Sequence, residues 1–132
     1  MKRETIREKT MQIIYQMDLS GNFDSSEINV IDEDTAVLDK KQCDDTLAAV
    51  REHISEIDAC IADNLDNWSF DRIAKTDLAV MRTAVAEMLY LDYIPVSVSI
   101  NEAVNLSKKY GDEKSYKFVN SVLGKISKSL NE

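Results

Sequence analysis

Between Cys43 and Leu65 seven apolar residues, Cys43, Leu47, Val50, Ile54, Ile57, Ile61 and Leu65, follow one another at steps of four and three. At about 100° per residue this spacing keeps all seven within one narrow stripe of a helix. A stripe that long must be covered by other elements, so the chain folds by packing helices. The 132 residues include only three glycines and one proline, too few to turn the many short strands of a sandwich or barrel. The length suits one sizeable core, read as a single domain over residues 1–132.

The other helices follow from the same periodicity. Ile6, Thr10, Ile13, Ile14 and Met17 share one side of a helix from about Arg3 to Ser20, and Gly21 is placed to close it. Residues 22–41 are polar and weakly periodic and read as a loop with one short helix. Asn67 to Lys75, with Trp68, Phe70 and Ile73, reads as an anchoring connection. A helix from about Thr76 to Leu91 is apolar nearly all round, which predicts a central, buried position. Pro95 keeps the chain extended around Ile94, and Ser99 with Glu102 three residues later predicts a capping box for a helix ending at Gly111. A last helix, from about Ser115 to near the end, carries Val119, Val122, Leu123, Ile126 and Leu130 on one side. The expectation is all-α: a compact bundle of six or seven helices.

Charge is unevenly spread. The net charge is -8, but residues 18–67 carry three bases against fourteen acids, while residues 1–17 carry four bases against two acids and residues 108–128 six lysines against two acids. Such runs are ordinarily solvated helix faces. If the two basic ends meet in space, they form a track for phosphates. On the last helix Lys114, Lys117, Lys125 and Lys128 project away from the apolar stripe, with Phe118 beside them. Lysines next to an aromatic ring are what single-stranded RNA requires, charge for the backbone and a face for a base. Arg3 and Arg7, four residues apart on the first helix, can reach the same track. Tyr15 projects opposite Ile6 and Ile13, a position that suits a protein interface. Asp71 and Asp77 can meet a basic partner, although Asp77 is equally a favourable charge at a helix start.

Catalysis has no support. His53 is the only histidine, there is no glycine-rich phosphate loop, GxSxG or HExxH, and no metal or other cofactor is called for. Cys43 and Cys60 lie 17 apart on one predicted helix and read as free thiols. No uncharged run approaches the ~20 residues that cross a bilayer, and the charged first ten residues are unlike a signal peptide, so a cytoplasmic location is expected.

The segment IPVSVSINEAVNLSKKYGDEKSYKFVNSVLGK, from Ile94 to Lys125, resembles the C-terminal signature of the NusB family of transcription antitermination factors, with its P-x-x-V-x-I-N-E-A and F-V-N-x-V-L elements. The resemblance extends through NWSFDRIAKTDLAVMRTAVAEM (Asn67 to Met88) and KRETIREKTMQIIYQMD at the start, and is weakest over residues 22–41. It implies a non-enzymatic, all-helical protein that pairs with NusE, a small-subunit ribosomal protein. The pair would load onto boxA-type single-stranded RNA and reach RNA polymerase through other Nus factors, in antitermination complexes on ribosomal RNA operons. It also implies RNA contacts at Arg3, Arg7, Lys117 and Phe118, with Lys114 favouring phosphate where some members are acidic, and a NusE-facing surface at Tyr15, Asp71 and Asp77. Glu4 and Thr5 stand where many members have arginines, and Ser121 where a glycine is common. The contrasting reading is a helical protein–protein adaptor that does not touch RNA.

Overall fold

The computed structural model describes residues 3–23, 37–66 and 69–130, with the side chains of residues 3–5 and 37–39 outside the description. Five α-helices and one 3-10 turn, and no strand, make up the described residues: α1 (Arg3–Ser20), α2 (Val37–Ala62), the turn Phe70–Arg72, α3 (Lys75–Tyr90), α4 (Val96–Tyr110) and α5 (Glu113–Leu130). Among the described residues the count is therefore five, against the six or seven expected. The short helix anticipated within residues 22–41 falls largely outside the described residues, as do Asn67 and Trp68, and the connection at Phe70 is a single 3-10 turn.

α1 has the boundaries read from the sequence. Gly21 closes it at φ 71°, with Gly21 N–H donating to Asp18 O and Asn22 N–H to Met17 O, the paired bonds of a Schellman cap that only a residue free of Cβ strain enters cheaply. α2 carries most of the long stripe: Cys43, Leu47, Val50, Ile57 and Ile61 are buried and Ile54 packs against the core, while Leu65, expected on the same helix, lies past its end at Ala62 and packs against the core from there. The helix is interrupted at His53 (φ -128°, ψ 26°), whose ring stacks on Tyr90 with centroids 4.1 Å apart. Cys43 and Cys60 are free thiols, and burial pushes both up from the ordinary thiol range.

α3 packs against all four other helices, and every residue from Asp77 to Met88 is buried. Its central position agrees with the sequence, but it is not purely apolar. Arg82 is 4% exposed and Glu87 1%, and a buried charge survives only when paired. Arg82 donates Nε and Nη2 to the two carboxylate oxygens of Asp58 on α2, both at 2.8 Å, and Nη1 lies 3.4 Å from Asp18 on α1. The rings of Phe23 and Phe70 cover the guanidinium. One charged side chain thus ties α3 to α1 and α2.

The anticipated capping box at Ser99 and Glu102 is also corrected. α4 begins one turn earlier, at Val96, with Pro95 at the cap position. Ser99 lies inside the helix, 1% exposed, and donates its hydroxyl to Glu87 Oε1 at 2.8 Å. A buried carboxylate offers a stronger acceptor than the helix end does a donor.

Candidate nucleic-acid interface

α4 and α5 form a hairpin joined at Gly111 and Asp112. Asp112 Oδ1 accepts the N–H of Ser115 at 3.0 Å and so caps α5. That bond holds the Asp112 carboxyl below its usual range. Gly111 is required by space: a Cβ there would lie 2.5 Å from Ser115 Oγ and 2.6 Å from Ser115 Cβ. Below this joint Val119, Val122, Leu123 and Ile126 are at most 3% exposed. Burying each contributes about 1.5–3 kcal/mol, so the core holds the outer face of α5 in place.

On that face Lys114 and Lys117 are exposed and line a shallow hollow of about 420 Å³ with Asp112 and Glu113. Lys117 pairs with Glu113 at 2.7 Å, one turn away. Both side chains are well exposed, so water and salt weaken the pair and a phosphate can displace it. Lys125, further along, is paired with Asp66. Phe118 is partly buried and packs against the core, so its ring supports α5 as well as bordering the lysines.

The N-terminal arginines are not equivalent. Arg3 begins α1, but its side chain lies outside the described residues. Arg7 is 3% exposed, and its Nε donates to Glu87 Oε1 and Oε2 at 3.1 and 3.0 Å. The expectation that Arg7 lies on the surface for phosphate is corrected. Its position beside the apolar stripe points it into the bundle, where Glu87 neutralises it and Ser99 satisfies the same carboxylate. That three-helix cluster, with Arg82 and its acids, was missed by apolar periodicity. The available signal was a charged residue inside an otherwise apolar helix.

α1 meets the end of α4 through Glu8. Lys109 Nζ donates to Glu8 Oε1 and Oε2 at 2.6 and 3.0 Å, the Tyr110 hydroxyl donates to Glu8, and Gln12 Nε2 donates to Tyr110 Oη at 3.0 Å. Lys109 and Tyr110 together hold the Glu8 carboxyl below its usual range. The two basic ends are therefore linked through α4, at the expense of one lysine spent on an internal pair.

Of the residues expected to face a protein partner, Tyr15 is partly buried against the core and Asp71 is exposed on the 3-10 turn. Asp77 is 9% exposed. Burial raises its carboxyl above the usual range, against the Ser115 hydroxyl that favours the charged form. The expectation of Asp77 as an open acidic contact is corrected: it sits in the first turn of α3 beside the start of α5. Among the described residues no group of His, Cys, Asp and Glu is placed to hold a metal, and no helix is long and apolar enough to cross a membrane.

An all-helical bundle with a buried ionic centre and an exposed lysine edge on its last helix defines a helical binding protein. Comparison with known proteins gives the particular family. The model of the NusB family matches residues 4–128. Transcription antitermination protein NusB of Bacillus pumilus (strain SAFR-032) is 43% identical over 136 residues, covering 100% of this chain and 99% of that protein, and the protein of the same name from Bacillus subtilis (strain 168) is 40% identical with the same coverage. Among solved structures, T. maritima NusB superposes with a TM-score of 0.86 at 30% identity, covering 97% of this chain and 92% of that one. A chain from the crystal structure of antitermination factors NusB and NusE in complex with dsRNA superposes with a TM-score of 0.75 at 32% identity, covering 96% of each. The chain belongs to the NusB family.

Proposed function

We propose that this protein is a non-enzymatic, cytoplasmic transcription antitermination factor that binds boxA-type RNA together with NusE and reaches RNA polymerase through other Nus factors. The observation that carries this reading is full-length likeness, in sequence and fold, to proteins named for antitermination, one of them solved with NusE and RNA. On this chain the RNA strand crosses the start of α5, with Lys114 and Lys117 on phosphates and Phe118 offering a ring edge, and Arg3 extends the track. Arg7 acts from beneath by fixing α1 to Glu87. Tyr15 and Asp71 contribute to the NusE face, and Asp77 supports it by seating α3 against α5.

Arg7, Lys109 and Lys125 are occupied by Glu87, Glu8 and Asp66, and Lys117 is paired with Glu113 on the surface. This favours weak RNA binding by the chain alone and tighter binding with NusE, which supplies further positive charge. The same occupancy favours the second reading, an adaptor that binds only proteins.

The test is fluorescence anisotropy of a labelled boxA-type single-stranded RNA against a scrambled control, with and without NusE, at two salt concentrations. Salt-sensitive preference for boxA that tightens with NusE supports antitermination. NusE binding with no RNA bound in any condition establishes the adaptor. Phe118→Leu, which keeps an apolar side chain on the core while removing the ring, should weaken RNA binding and spare NusE binding.

A further inference from the structure

A groove of about 610 Å³ runs between α4 and α5, lined among others by Asn101, Asn105, Lys108, Tyr116, Lys117 and Asn120. Its volume lies within the ~300–1,000 Å³ of small-ligand clefts. Asn101, Asn105 and Lys108 occupy one face of α4 at steps of four and three, and Tyr116, Lys117 and Asn120 the facing side of α5. Asn101 belongs to the I-N-E-A element and Asn120 to the F-V-N element, so two parts of the sequence signature distant in the chain converge on one cleft. All three asparagines are exposed. Asparagine is a poor residue for a helix interior, so three of them around one groove cost helix stability without serving the core.

The chemistry of the lining is divided. Lys108 Nζ lies 5.1 Å from the centre of the Tyr116 ring, which places a cation and an aromatic surface together at the α5 wall, with Lys117 beside them. Three carboxamides, each with two N–H donors and a carbonyl acceptor, line the groove, and Glu102 adds a carboxylate. Lysines suit a phosphate, the ring suits a base, and amides suit the edge of a base. A protein anchor would want an apolar floor, and Val104 is the one aliphatic side chain in the lining.

We propose that this groove is a nucleotide pocket that reads one base of a bound RNA strand, preferring adenine to uracil. An asparagine amide pairs two ways with the amino group and ring nitrogen of adenine. Glu102 accepts from an exocyclic amino group and repels the O4 acceptor of uracil. Lys117 lines both this groove and the hollow beside Lys114, so it passes the strand from the outer face of α5 into the pocket. The pocket rests on the RNA-binding reading, and its test separates the two.

The 15N-labelled full chain is titrated with AMP, UMP and inorganic phosphate while the side-chain amides of Asn101, Asn105 and Asn120 are followed by NMR. AMP should shift all three saturably and bind at least fivefold more tightly than UMP, with phosphate leaving the amides unmoved. Asn105→Asp should weaken AMP on the order of tenfold with the circular dichroism spectrum unchanged, and Asn120→Ser serves as a second variant if Asn105→Asp unfolds. In RNA oligomers differing by a single A-to-U change, the uncharged Asn120→Ser should erase the discrimination while leaving the salt dependence intact. Equal shifts from AMP, UMP and phosphate would overturn the proposal in favour of a plain anion site. RNA binding with silent groove amides would overturn it and leave the RNA reading standing. AMP binding with no affinity for any RNA would overturn both, and amide shifts produced by NusE alone would assign the groove to a protein.

Discussion

Glu87 joins three helices through one buried carboxylate. It stands on α3, accepts Arg7 from α1 and Ser99 from α4, and is 1% exposed. Removing one partner of a buried ion pair leaves the other charge without compensation, a loss of about 3–5 kcal/mol. Glu87→Ala should therefore lower unfolding free energy by about that amount in urea titrations, and a loss below ~1 kcal/mol would show that water reaches Arg7. Asp77 behaves in the opposite sense. Its carboxyl is raised in the folded state, so the charged form is disfavoured there and stability is lost as pH rises through the folded value. Asp77→Asn should raise the thermal midpoint at pH 7, and the gain should vanish in acid. Glu8 is depressed from its ordinary 4.5 by Lys109 and Tyr110. Its contribution is present above that ordinary value and lost as pH falls through the lower folded one. Glu8→Gln should flatten the acid limb of the stability profile, and an unchanged limb would show that the contact with Lys109 and Tyr110 does not persist in solution.

At the scale of elements, the α4–α5 hairpin depends on how closely its two helices approach at the turn. Gly111→Ala would push Ser115 and with it the first two turns of α5, where Lys114 and Lys117 are mounted. The expected cost is about 1–3 kcal/mol with weakened RNA binding, read by thermal denaturation and anisotropy; an unchanged midpoint would mean that α5 accommodates the methyl by a small shift. Helix faces also look more polar in sequence than they are when packed. Thr10, Thr46, Thr83 and Ser107 are buried, and each donates its hydroxyl to the carbonyl four residues earlier, so the core receives a satisfied group. Helix identity and most boundaries were legible because the 3.6-residue repeat is local. The start of α4 was not, because Ser99 found its partner on another helix.

For the molecule as a whole, charge segregation along the chain becomes partial segregation in space. The acidic stretch supplies Asp18 and Asp58 to Arg82 and Asp66 to Lys125, so acids counted as a repulsive middle partly serve as internal counter-ions. The cations left for phosphate are fewer than the sequence count, with Lys114 and Lys117 the exposed pair at the start of α5. For a single strand each phosphate contact contributes about 0.7 to the slope of log affinity against log salt. Lys114→Ala combined with Lys117→Ala should lower that slope by roughly 1.4, measured with NusE present. An unchanged slope would place the RNA elsewhere on the chain.

The sequence by itself determined the class of fold, the α2 stripe, the cap at Gly21 and the likeness to the NusB family, because periodicity, turn chemistry and motif spacing are properties of neighbouring residues. It also marked Lys114, Lys117 and Phe118, whose positions relative to the α5 stripe follow from helix geometry alone. Only the tertiary structure decided that Arg7 turns inward and that Asp77 is covered. Only it brought Asn101 and Asn120 to one groove. A side chain flanking an apolar stripe stays in water or enters the core according to whether a counter-charge waits on another helix. For Arg7 that counter-charge is Glu87, eighty residues away, and no local pattern records it.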